Sequence, residues 1–585
     1  MKHTHQALLA LAAAGLLFIP ACKKAAQEND NAQAVQQLAA APAAADWNKA
    51  DVNSLLAFVP EDTAFVQAST RQLDLTDANL KKLLDKAASS LDGSIADVQK
   101  NIDEIKDPAD PKAAEALKTV LASLKEYRDL IKDFEHNAPA WGLDPLGHFD
   151  AIAYTRDQTL VMQATLVDSA KCKEKVVQSI NAYLSLTEEQ VAHEEIKSGS
   201  SDWLVYSASK LLDSADISDD PSVKSVIPSK LAINFGPQRV TTVLIPDSFD
   251  SNALENFLKP AEKPLSKDAL GKIEPTTVQT GYLDITKLVK ALTSPNGLAL
   301  LRALNLIEGE ATEACIKEYN DIAAITPRIL LTSDIDSENT ITKITTVLSD
   351  KDALANLNAL RTKRLSVTTD KSLMALNVNL DIKNAIAYIK SLSAAITAKN
   401  YQCSTLKDLP EMLNSVIEVV TNPQILAFIN GISGLNVAVD KLDLKADPIA
   451  VEAIANLTGP TVGTTAPLLL GLAAAGEPQL SKLILTKGQP ANDIELNIDK
   501  FAIKLNGMLT DTDLIYATQA YDIKTISEST PKDSNFIDLM LDYALVSALP
   551  ADYQESLGSF KDIIMTISLG TDDKGITFTT TSKYH

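Results

Sequence analysis

FDAIAYTRDQTLVMQATLV, residues 149–167, is two apolar runs around a polar turn. The link between the runs is too short for a crossover helix, so they read as an antiparallel hairpin. Asp168-Ser169 follows directly, and then Cys172, Val176, Ile180 and Leu184 recur at four-residue steps. Apolar residues at that spacing share one helical face. Hairpin, aspartate, amphipathic helix is the pattern that decides the fold.

It recurs along the chain. KLAINFGPQRVTTVLIP (230–246), RILLTSDIDSENTITKITTVL (328–348) and DIIMTISLGTDDKGITFTTT (562–581) also read as hairpins. The step from strand to helix through aspartate recurs at Asp74, Asp168, Asp284, Asp381 and Asp499. An aspartate there accepts hydrogen bonds from the free amides of the first helical turn and favours the positive end of the dipole. A row of aspartates as metal ligands is the alternative, and capping is the commoner role. The near-regular spacing predicts a duplicated unit of about 100 residues. Hairpins between helices, rather than single strands, predict an α+β fold. Its repeated units are curved antiparallel sheets with helices packed on one face.

Two stretches before the first hairpin add a long N-terminal helical hairpin. Leu84, Leu91, Ile95, Val98 and Ile102 repeat at helical spacing, as do Leu117, Val120, Leu121, Leu124 and Ile131, with DPADP (107–111) as the break. Mutual packing of the two stripes is the ordinary reading, and a partner-binding arm the sharper one.

The N-terminus carries an address. ALLALAAAGLLFIPA (7–21) is too short to span roughly 30 Å of hydrocarbon as a helix and suits an export signal. Ile19-Pro20-Ala21-Cys22 resembles the lipobox of bacterial lipoproteins, with Pro20 where a small residue is usual. The resemblance implies diacylglycerol on the Cys22 sulfur, cleavage before it and acylation of the new amino terminus. Lys23 rather than aspartate after the cysteine implies forwarding to the outer membrane. Residues 23–46, mostly Ala, Gln and Asn, cannot bury enough surface to repay their ordering and read as a flexible tether.

A second resemblance is structural. Val59-Pro60-Glu61-Asp62-Thr63-Ala64-Phe65-Val66, with Trp141-Gly142-Leu143-Asp144-Pro145-Leu146 much later, resembles uncharacterised bacterial envelope proteins. Those begin a strand after hydrophobic-Pro-x-Asp-Thr and place a Gly-Leu-Asp turn before a hairpin. The resemblance implies a fold and an envelope location, not an activity. The expected organisation is a signal peptide (1–21), a tether (22–46), a first α+β domain with the helical hairpin (47–275) and a second α+β domain (276–585), with room for a division near 450.

Composition narrows the function. A net charge of −22 argues against nucleic acid and against adhesion to anionic headgroups. No zinc-spaced histidine pair, nucleophile elbow, P-loop or dinucleotide fingerprint occurs. Ser-x-x-Lys at Ser207, Ser404 and Ser529 lacks its companion motifs, and SDIDSEN (333–339) lacks the glycine and final glutamate of a calcium loop. No catalytic residue, metal or cofactor is expected, and the chain reads as a non-enzyme. Lys171 and Lys173 flank Cys172, yet its apolar face predicts an inert buried thiol. Cys315 and Cys403 remain as disulfide partners in an oxidising compartment, two independent thiols being the alternative. The expectation is a periplasm-facing outer-membrane lipoprotein, held by its lipid, that binds or scaffolds an envelope protein partner. The rival readings are a carrier of lipid or hydrophobic ligand, and an envelope hydrolase with a site assembled from distant residues.

Overall fold

In the computed structural model the hairpin 149–167 is strand β2 (Ala151–Arg156) against β3 (Thr159–Thr165), with Ala151 opposite Ala164 and Arg156 opposite Thr159. The structure describes residues 52–584 apart from 70–90, 104–110, 144–149, 186–192, 208–227, 272–275, most of 295–311, 336–338, 363–371, 421–430, 524–534, 549–562 and single or paired positions elsewhere. The fold is mixed α+β, and every described strand pairing is antiparallel. The chain forms two compact units that divide at 311/312, with Leu331–Ile335 returning to the first.

The first unit begins with the short helix α1 (Val52–Leu56) and strand β1 (Phe65–Ser69). Helical residues 91–103 and α2 (Pro111–His136) follow, then β2, β3 and α3 (Ser169–Ser185). Four strands come next: β4 (Glu194–Ser198), β5 (Ser201–Ser207), β6 (Pro228–Phe235) and β7 (Arg239–Pro246). After a 3-10 segment (Ser251–Leu258) come β8 (Thr277–Asp284) and α4 (Ile285–Leu292), and of β9 (Arg328–Ile335) residues Leu331–Ile335 belong here. Hydrogen bonding gives the order β8–β1–β2–β3–β7–β6–β5–β4. One sheet face packs beneath α2 and α3 through Ala164, Val240, Ile233 and Tyr206. The apolar stripes of the helical hairpin meet each other: Leu91, Ile95, Val98 and Ile102 pack on Val120, Leu121 and Leu124.

The second unit contains α5 (Glu313–Ile325), β10 (Asn339–Val347), α6 (Lys351–Ala359), β11 (Met374–Val378), α7 (Ile382–Thr397) and α8 (Leu409–Val420). Then come β12 (Gly434–Asp443), β13 (Ala450–Thr458), α9 (Val462–Ala474), β14 (Ala491–Ile498), β15 (Phe501–Leu509) and β16 (Asp513–Thr518). Strands β17 (Ile537–Asp542), β18 (Ile563–Thr571) and β19 (Gly575–Tyr584) close the chain. Their order is β10–β19–β18–β17–β11–β12–β13–β16–β15–β14.

The stretch β17–β11–β12–β13–β16–β15–β14 repeats β8–β1–β2–β3–β7–β6–β5 strand for strand. Backbone hydrogen bonds fix the phase: Asp284 N donates to Ala64 O, and Asp542 N to Leu373 O. The register then places Val66, Tyr154, Val161 and Val243 where the second unit has Ala375, Ala438, Ile454 and Ala517.

Several expectations change. Strand β8 pairs with β1, so a boundary at 275 would cut a sheet, and the first unit continues beyond it. A division at 450 would split the β12–β13 hairpin, in which Asp443 faces Ala450. The aspartate spacing of about 100 residues does not mark the repeat, because Asp168 and Asp284 cap different helices of one unit. Asp381 caps α7 by accepting from Asn384 N. After Asp499, itself outside the described residues, comes strand β15 rather than a helix. Asp74 also lies outside the described residues.

Candidate functional site

Cys22, the expected lipid anchor, lies outside the described residues. Cys315, in the first turn of α5, is bonded to Cys403, with Cα atoms 4.7 Å apart. Glu318 braces the junction, its carboxylate accepting from Gln402 N (2.7 Å) and Cys403 N (3.0 Å). Cys172 is free and buried, and burial, reinforced by the Asp168 carboxylate, pushes its thiol up to about 12. Asp334 accepts from Thr277 Oγ1 at 2.6 Å, a structural contact rather than a calcium ligand. No group of three or more His, Cys, Asp or Glu side chains among the described residues is placed to hold a metal ion. No described helix is long and apolar enough to cross a membrane.

The site that single motifs did not announce is the sheet of the second unit, where one apolar row is left partly open. Side chains alternate between faces along a strand, so cross-strand partners form rows on one face. One row runs Ile344, Phe578, Leu569, Ile537, Val378, Leu435, Leu457, Leu514, Leu509, one apolar residue on each of nine adjacent strands. The parallel row beside it adds Ile567, Leu539, Leu376 and Val437. At one end α9 covers the row, and Leu457, Leu514 and Leu509 pack with Val462 and Ala466. At the other end it is open. Ile344, Phe578, Leu569, Ile537 and Leu435 are each 36–42 % exposed. Five inter-strand steps from β10 to β12 make this open row about 24 Å long.

The opposite face is buried and sets a polar row beside an apolar one. Asp538, Asn377, Asn436 and Asn456 stand in direct register on β17, β11, β12 and β13. The next row, Ala375 beside Ala438 with Ile454 and Ala517 beyond, packs with Ile523 and Met540 in an apolar cluster. The first unit has no such open row: its helix-covered face is buried, and on its other face Val66, Tyr154, Val161 and Val243 are buried beside Gln163.

An apolar side chain left 40 % exposed forfeits much of its transfer free energy, about 25 cal/mol per Å². One such residue is ordinary, but five in register make a surface built to be covered. Comparison with protein-family models, with curated proteins and with solved structures finds no match to this chain.

Proposed function

We propose that the chain is an outer-membrane-anchored lipoprotein facing the periplasm, acting by binding rather than catalysis, whose second unit holds a membrane-derived acyl chain on its open apolar row. The observation that carries the binding reading is that row. It is about 24 Å long, against roughly 15 Å of acyl chain in one leaflet of a 30 Å hydrocarbon core. It is uncharged and closed at one end by α9. The lipobox at Ile19–Cys22 and the Cys315–Cys403 bridge support an exported, lipid-anchored chain, since bridged thiols persist in oxidising compartments. The likeness of Val59–Val66 and Trp141–Leu146 to envelope proteins supports the same location. Matching strand orders support descent of the two units from one duplicated α+β unit.

Full-length chain carrying Cys22→Ser is the material for the test, titrated with cis-parinaric acid, a fatty acid that fluoresces when shielded from water. Saturable micromolar binding is expected, weakened about tenfold by Leu569→Glu or Phe578→Glu, because a charge on the row must be desolvated. Both positions are partly exposed, so folding should survive. Binding that is absent, or indifferent to both substitutions, refutes the acyl reading and leaves the row as a protein-docking surface.

A further inference from the structure

Helix α9 is apolar on both sides. Val462 and Ala466, each 2 % exposed, pack on the sheet together with Leu470. Leu468 and Leu472 are 64 % and 61 % exposed, the barest large apolar side chains among the described residues of the second unit. No charged side chain occurs from Thr461 to Gly476. A helix that is apolar all round is ordinarily buried, in a core or in a membrane. At 13 residues α9 rises about 20 Å, too short to span roughly 30 Å of hydrocarbon. We infer that the outer face of α9 is a membrane-docking surface, seated in the headgroup boundary of a zwitterionic bilayer.

Size, shape and polarity select lipid over protein as the occupant. The stretch Leu468–Gly476 is about 13 Å long and about 10 Å wide as a helix face. A specific protein interface needs roughly 500 Å² per partner, several times that area. A Cβ on Gly471 or Gly476 would meet no atom within 4 Å, so the leucines stand on a ridge rather than in a groove. Helix α3, which follows β3 as α9 follows β13, shows what cover by a protein helix looks like. It meets α2 through Lys175 Nζ on Asp133 Oδ2 at 2.7 Å, and through Gln178 Nε2 donating to Glu126 Oε1 at 3.0 Å. Leu468–Gly476 carries no side-chain group for such pairing. An acyl layer asks for none, and interfacial helices enter it about 5–10 Å deep.

The charge of −22 disfavours anionic headgroups, which leaves zwitterionic lipid as the matching surface. The tether read in residues 22–46 reaches about 25–30 Å as a flexible coil. A bilayer at the other end of that tether is held at high effective concentration, so a small patch suffices. The inference rests on the membrane location proposed above and is independent of what the apolar row holds.

The test supplies the membrane without the chain's own lipid, so that docking and lipidation fail separately. Residues 22–585 carrying Cys22→Ser and an N-terminal histidine tag are held on phosphatidylcholine–phosphatidylethanolamine vesicles by a nickel-chelating lipid. Leu472→Cys takes an environment-sensitive maleimide fluorophore, and Asp573→Cys, at an exposed position between β18 and β19, is the control. No other thiol competes, since Cys172 is buried and Cys315 and Cys403 are bridged. Lipid spin-labelled near the headgroup end of its acyl chain should quench the Leu472→Cys emission about twofold and leave the control unchanged, as that depth of entry requires. Adding Leu468→Glu, at a side chain outside the core, should abolish the quenching. Equal quenching at both positions, none at either, or quenching indifferent to Leu468→Glu overturns the inference. So does blue-shifted emission that the lipid quencher does not reach, which marks α9 as covered by protein, its own chain or a second copy.

Discussion

Cys172 shows how neighbours in sequence and neighbours in space compete for one side chain. Two flanking lysines and a helix N-terminus would lower a thiol pKa, while its place on the Val176–Ile180 face buries it among Leu166, Leu204 and Tyr206. Burial wins, and the thiol is raised from 9.0 to about 12. A thiol that titrates higher folded than unfolded holds its proton more tightly in the native state. The stability it contributes is therefore full below pH 9 and falls as pH rises from there towards 12. We expect no reaction of Cys172 with a thiol reagent in native protein at about pH 8 and stoichiometric labelling in denaturant. Rapid native labelling would contradict the burial. Gly142 is a second residue whose reason lies in space. At φ +70 its carbonyl accepts from Val167 N and Asp168 N, and a Cβ there would lie 1.9 Å from Asp168 O. Gly142 thus docks against the junction of β3 and α3.

Among the elements, helix starts were the most legible and helix coverage the least. Asp168, Asp284 and Asp381 cap helices as their sequence context predicts, and Asp250 and Asp350 cap two more segments that fall outside the regular spacing. A cap is a local contract between one side chain and the next three amides, so sequence reveals it. The disulfide is an element-scale constraint of another kind. It ties the first turn of α5 to the residue before Ser404, 88 positions on. Removing it by Cys315→Ser with Cys403→Ser should cost about 4–5 kcal/mol by the chain-entropy model, less any relief of strain. Urea unfolding of the two proteins measures this. An unchanged midpoint would mean that the link does not restrict the unfolded chain.

At the scale of the whole molecule, two units share one strand order yet differ in what covers them. The first buries both sheet faces. The second leaves part of an apolar row open on one face and buries the other, where Asp538, Asn377, Asn436 and Asn456 lie beside an apolar cluster. The proposed anchorage is a whole-molecule property too, and its test is Cys22. Cys22→Ser should move the protein from the membrane fraction to the soluble fraction and abolish labelling with palmitate. Retained label would show attachment elsewhere. Two or more acyl chains, at about 0.8 kcal/mol per buried CH₂, suffice for durable anchoring.

The sequence by itself determined the hairpins, the caps at Asp168, Asp284 and Asp381, the α+β class and the short list of cysteines left to pair. Each depends on residues close together in the chain, or on simple elimination. Only the tertiary structure decided the length of the repeat, the true division of the units and the two faces of the second sheet. Asn377, Asn436 and Asn456 lie 59 and 20 positions apart, each in an ordinary strand, as do Ile344, Phe578 and Leu569. What brings either set together is antiparallel register, which aligns one residue from each strand into a row, and no local pattern records which strands will be neighbours.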